Sequence, residues 1–215
     1  MSIYYIYLSL LLLAFILIYY GIEWCIRHAP VRIKLLGTTL IAVLASRYIG
    51  LLILLIIKNI KYLYLLKTLI FLNFLCIPVL AFISLYILAR NDNIKFSYGF
   101  IILGILLAAY ILAMTFIPID IISQGSLGYV ITLERSKVLF GTYLIINTIV
   151  FLYSLLLFEH KSVNRSGIIL IIAASAITIL EIIFSSLCGN ILPSIIVSDV
   201  MWLLTINFAV YRFKR

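Results

Sequence analysis

Apolar residues run along this chain in long, nearly unbroken stretches, without the alternation of a half-buried strand or the one-sided stripe of a helix in water. Stretches bounded by charge or turn residues fall at 3–22, 35–57, 63–89, 96–117, 138–158, 168–187 and 191–211. A helix rises about 1.5 Å per residue and a bilayer core is about 30 Å thick, so each stretch is long enough to cross. The pattern predicts an all-α polytopic membrane protein, a seven-transmembrane helix bundle forming one domain over 1–215. The first stretch is longer than the apolar core of a signal peptide, and no small-residue cleavage site follows it, so it reads as a retained helix. Short connections make consecutive helices antiparallel neighbours.

One connection is longer and polar, PIDIISQGSLGYVITLERSK at 118–137. Gly125 and Gly128 bracket a turn, and the alternation over 129–133 predicts a short strand or hairpin arm. A loop of this size in so economical a chain fits a lid or binding surface, or simply a solvated link.

Composition agrees with the pattern: 66% of the 215 residues are hydrophobic and 11% charged. The formal charge of +9 is carried by scattered Lys and Arg between apolar runs, which reads as helix-end anchoring and not as a nucleic-acid surface. Ten basic residues fall on one side of the predicted topology: Arg27, Arg32, Lys34, Arg90, Lys95, Lys161, Arg165, Arg212, Lys214 and Arg215. Lys58, Lys61, Arg135 and Lys137 fall on the other. By the positive-inside rule the N-terminus is expected outside and the C-terminus in the cytoplasm of a multi-pass cell-membrane protein.

The ionisable residues inside the spans are expensive there, and they mark the candidate site. Arg47 lies about twelve residues from the inner end of the second stretch. Asp199 lies about eight residues from the outer end of the seventh, or about 12 Å at helical rise. Lys67 and Glu181 form a shallower level near the outer ends of the third and sixth. Two basic and two acidic groups in one half of a bundle balance, and the expected pairs are Arg47 with Asp199 and Lys67 with Glu181. Asn73, Asn147 and Asn207 are supporting polar groups. Two readings stay open: internal salt bridges that fix helix register, or an outward-facing pocket whose charges respond to a ligand.

Catalytic patterns are missing. The two histidines, His28 and His160, fall in predicted inside loops, on the opposite side from the acids, so no metal site is expected. Cys25 and His28 give only a weak thiol–imidazole spacing. No phosphate-binding Gly-Lys-Ser/Thr loop occurs, and no cofactor or enzymatic activity is expected.

The layout resembles the seven-transmembrane N-terminal sensor region of bacterial histidine kinases. The likeness is carried by the basic start of the second helix at Arg32 and Lys34, and by LLKTLIFLNFLCIPVLAFISLYILAR with Pro78 placed to break the third. It continues in GYVITLERSKVLFGTYLIIN after the long loop and in the closing LLTINFAVYRFKR. The resemblance implies a bundle that senses an extracellular or membrane-borne signal and passes a helix movement inward. The 215 residues include no phosphoacceptor His helix or ATP-binding region, so the expected role is an isolated sensor domain or one that works with a separate partner. The expected partners are the lipid bilayer, a cytoplasmic kinase or other effector, and a second copy of the chain. The alternative is a substrate-binding or small transporter subunit, and third an intramembrane enzyme.

Overall fold

A computed structural model describes residues 2–56, 63–89, 96–123, 128–133, 136–159, 163–188 and 194–214. The elements are α1 (Ser2–His28), α2 (Val31–Ile56), a 3-10 turn (Tyr64–Leu66) leading into the single turn α3 (Lys67–Ile70), α4 (Asn73–Ala89) and α5 (Ser97–Phe116). A hairpin of β1 (Ile119–Ser123) and β2 (Tyr129–Leu133) follows, then α6 (Ser136–Phe158), α7 (Arg165–Cys188), α8 (Val197–Tyr211) and a closing 3-10 turn (Arg212–Lys214). Six helical stretches among the described residues are long and apolar enough to cross a bilayer, which makes the chain a helical membrane bundle. Lys58, Lys61, Arg90, Lys95, Gly125, Arg135, Lys161 and Arg215 lie outside the described residues.

Several boundaries move from those the apolar runs predict. α1 continues through Arg27, because Glu23 and Arg27 pair one turn apart at 2.9 Å and charged side chains at a helix end cost little. α2 starts immediately after Pro30, whose carbonyl accepts the Lys34 N–H at 2.8 Å.

The third run is interrupted, but not at Pro78, which sits inside α4. The discontinuity is upstream, at Phe71 and Leu72, where the bonds tighten to Leu72 N–H on Leu69 O, Phe74 N–H on Phe71 O and Leu75 N–H on Leu72 O. With Phe74 N–H diverted to Phe71, the Ile70 carbonyl loses its helical partner.

The seventh run is not one helix from 191. α8 is 15 residues long, about 22 Å at helical rise, and Ser194–Ile196 precede it without helical structure. Irregular backbone at membrane depth is tolerated only where protein or a wet cavity covers it. Ile195 and Ile196 are accordingly buried.

α4 and α8 form the centre. α4 is buried along nearly its whole length against α2, α5, α6, α7 and α8, while α8 fills the space between α1, α4 and α7. α5 packs chiefly on α4 and leaves most of its surface outward. The hairpin pairs Ile119 with Leu133 and Ile121 with Ile131, placing those four on one face. Val130, Ile131 and Leu133 are buried, so the predicted strand arm is a packed cover and not a solvated link.

Candidate functional site

Arg47 enters the interior because of its helical position. Leu40, Leu44, Leu51 and Leu54 of α2 are buried at spacings of three and four residues, and Arg47 falls in that stripe with Tyr48 beside it. Asp199 occupies the first turn of α8, where the amide ends of the helix favour a negative charge. The structure brings the two together. Arg47 Nη1 donates to Asp199 Oδ2, with the side chains 1% and 0% exposed, so the pair is removed from water and must be satisfied by protein.

The guanidinium does more than neutralise one carboxylate. Its Nε–H donates at 2.7 Å to the Ile70 carbonyl freed by the break before α4, and Nη2 donates at 3.1 Å to the Ile195 carbonyl in the non-helical segment before α8. The Tyr48 ring lies 5.5 Å from the guanidinium carbon, within cation–π range. Of the five N–H bonds a guanidinium carries, three are used by these partners. Around it, Asp199 Oδ1, the Tyr48 and Tyr143 hydroxyls, Asn73 Oδ1, Ser194 Oγ and Ser198 Oγ are buried without a hydrogen-bond partner among the described residues. Buried polar atoms in such number mark a place where water or a polar ligand is accommodated.

The second expected pair does not form. Half-buried Glu181 turns its carboxylate to the start of α8: Oε1 accepts the Ile196 and Val197 N–H groups at 3.2 Å and Oε2 accepts Ser198 N–H at 2.8 Å. These are orphan donors of a helix start that has no capping side chain of its own. Lys67 Nζ instead donates at 2.6 Å to both the Met114 and Ile117 carbonyls, closing the far end of α5, where a cation suits the helix dipole. Two helix termini displace the salt bridge, since each charge finds several unsatisfied backbone groups nearer than the other charge.

A cavity of about 70 Å³ opens beside Arg47. Asn73, Ser194 and Thr132 contribute its polar lining, Phe71, Phe74 and Phe140 an aromatic wall, and Ile131 and Leu133 of the hairpin part of its cover. A water needs about 10–15 Å³ by the same measure, so the space suits several waters or a small polar group. β2, which belongs to the long polar connection at 118–137, thus contacts the cavity directly.

The supporting amides divide. Asn73 lines the cavity. Asn147 bonds back to the Tyr143 carbonyl within α6, at 2.8 Å. Asn207 donates at 2.8 Å to the Leu17 carbonyl of α1, toward the other end of α8. Sequence reasoning missed the two carbonyls on Arg47, the Tyr48 and Tyr143 hydroxyls and Ser194. Pro193, next to Ser194, is the one local signal that α8 starts late. Among the described residues no cluster of three or more His, Cys, Asp or Glu is arranged to hold a metal.

No protein-family model matches this chain, and no curated protein is significantly similar to it.

Proposed function

We propose that this chain is a membrane-embedded signal-input bundle, in which a ligand-responsive cavity beside Arg47 and Asp199 is coupled through α8 to a cytoplasmic partner. The observation that carries this reading is the clasp itself: one guanidinium joins α2, the carbonyl end of α3, the segment before α8 and α8 at Asp199. A ligand that exchanges with any of these bonds acts on α8 directly. A signal shifts two states only by its difference in affinity for them, and the clasp provides such a difference. The resemblance to histidine-kinase sensor regions favours a kinase or another cytoplasmic effector as the reader of the Tyr211–Arg215 end.

In this reading the chain crosses the cell membrane seven times, with its N-terminus outside and C-terminus inside, as the basic residues suggest. α8 makes the seventh crossing together with the non-helical residues before it, which lengthen the about 22 Å that its own 15 residues span.

Discontinuous helices around a buried charge are also how solute carriers build their sites, so a substrate-binding or small transporter subunit is the second reading. Against it, polar groups further along α8 are engaged with neighbours: Trp202 Nε1 donates to Thr178 at 3.0 Å and Asn207 to Leu17.

The test places a reporter at the far end of α8. Tyr211→Cys, in a Cys188→Ser background, is labelled with a membrane-impermeant maleimide from either side. Asp199→Asn is expected to change the labelling rate severalfold, with accessibility on the cytoplasmic side. If neither Asp199→Asn nor Arg47→Gln alters it, the relay is wrong, and labelling from outside only would overturn the topology.

A further inference from the structure

The Arg47 cavity adjoins a second, apolar space. α5 leans on α4 and stands off from α6, leaving a fissure between them. One part, of about 450 Å³, has Pro78, Phe82 and Leu85 of α4 as its floor and Ile105 and Ile149 as walls. The other, of about 240 Å³, lies nearer the hairpin between Tyr110 of α5 and Tyr143 of α6. Leu106 and Ile146 border both parts, so the two adjoin. Phe74 borders the second part and also the Arg47 cavity.

The three spaces thus follow one another from the lipid-facing flank toward the guanidinium, with one aromatic cluster standing before the last. The Phe74 ring centre lies 5.7 Å from that of Phe140 and 5.1 Å from that of Tyr143, both edge-on. Phe74 stands where the helix ladder is already tightened to three-residue bonds, so its backbone is not locked in a regular turn. The Tyr143 hydroxyl, buried and without a partner among the described residues, belongs to the same cluster.

We propose that this fissure admits a single-chain carboxylate amphiphile from the bilayer, its acyl chain lying on α4 and its carboxylate reaching Arg47 past Phe74. The proposal rests on reading the Arg47 cavity as a ligand site and names the ligand class. Apolar walls match the chain. The guanidinium fork, with N–H bonds not used by Asp199, Ile70 or Ile195, matches a planar two-oxygen head. A cavity of about 70 Å³, room for several waters, fits a carboxylate, and the trough between α5 and α6 that leads toward it is lined for an acyl chain. The arriving carboxylate shares the guanidinium with Asp199, which ties occupancy to the clasp.

The full chain in phosphatidylcholine nanodiscs is to be crosslinked with a diazirine-bearing palmitic acid, and the modified residues mapped by mass spectrometry. Saturable labelling of α5 and α6 along the fissure is expected. Palmitate should displace the probe at concentrations about tenfold lower than hexadecanol, the scale of one charge-assisted hydrogen bond, while phosphatidylglycerol should not displace it. Leu106→Trp and Ile146→Trp, two half-buried positions facing the fissure, should each remove the saturable labelling without lowering the unfolding temperature. Displacement by hexadecanol as good as by palmitate means the fissure merely holds bulk lipid and overturns the proposal. So does displacement by phosphatidylglycerol, or unchanged labelling in both Trp variants. Palmitate binding with Tyr211→Cys labelling insensitive to the clasp variants keeps this site and removes the relay; a working relay without palmitate binding does the reverse.

Discussion

Gly128 and Leu54 meet backbone to backbone: a Cβ placed on Gly128 would lie 2.6 Å from the Leu54 carbonyl oxygen. Gly128 also has φ of 76°, a region where side chains are strained. The hairpin is thus seated on α2 at a residue that has no side chain to keep it away. Gly128→Ala is expected to lift the hairpin, at a cost of about 1–3 kcal/mol for the backbone conformation alone. Reaction of Thr132→Cys, at the cavity wall, with a small maleimide should become severalfold faster in that background. Equal rates would show that the hairpin is not held there.

Asp199→Ala should destabilise the chain by about 3–5 kcal/mol, because it strands a guanidinium that is 1% exposed. Arg47→Met combined with Asp199→Leu removes both charges yet should recover only part of the loss. The Ile70 and Ile195 carbonyls lose their donor in that variant, at about 1–3 kcal/mol each when buried. Unfolding midpoints in detergent check both expectations, and full recovery in the double variant would mean that the carbonyl bonds contribute nothing.

Lys67 and Glu181 should behave independently. Each serves a different helix end, so the coupling energy in a Lys67→Met, Glu181→Gln cycle is expected below about 0.5 kcal/mol. A coupling of 1 kcal/mol or more, on the usual scale for paired charges, would restore the salt bridge that the balance of charges suggested.

Glu181→Ala should loosen the start of α8, costing about 0.5–2 kcal/mol as the loss of a cap does. Amide exchange of Ile196, Val197 and Ser198 should accelerate while exchange in the middle of α8 stays as it was. Uniform acceleration throughout α8 would instead indicate loss of packing.

The Arg47–Asp199 contact was legible in the sequence because depth within a span is countable, and two opposite charges at one depth have few other ways to be satisfied. The β2 arm was legible from alternation over 129–133 and a glycine at 128, whereas its partner β1 was not predicted. The Lys67–Glu181 pair was misread for a physical reason. Counting charges leaves out backbone groups, and the broken start of α4 and the late start of α8 are visible only as bonds between carbonyls and N–H groups. The cavity was legible only as a level of polar residues. Its aromatic wall, shared with the fissure, depends on how far α5 stands from α6, which apolar runs of similar composition do not encode.

α8 begins on bonds lent by another helix. Its first amides rest on the Glu181 carboxylate, its first turn on Arg47 through Asp199, and its later part on α1 through Asn207, against which Gly21 leaves just enough room. A helix fixed in this way behaves as a bolt held by latches on three different walls. Sliding or turning it by a fraction of a turn requires a few side-chain bonds to be exchanged, and its own backbone ladder stays whole throughout.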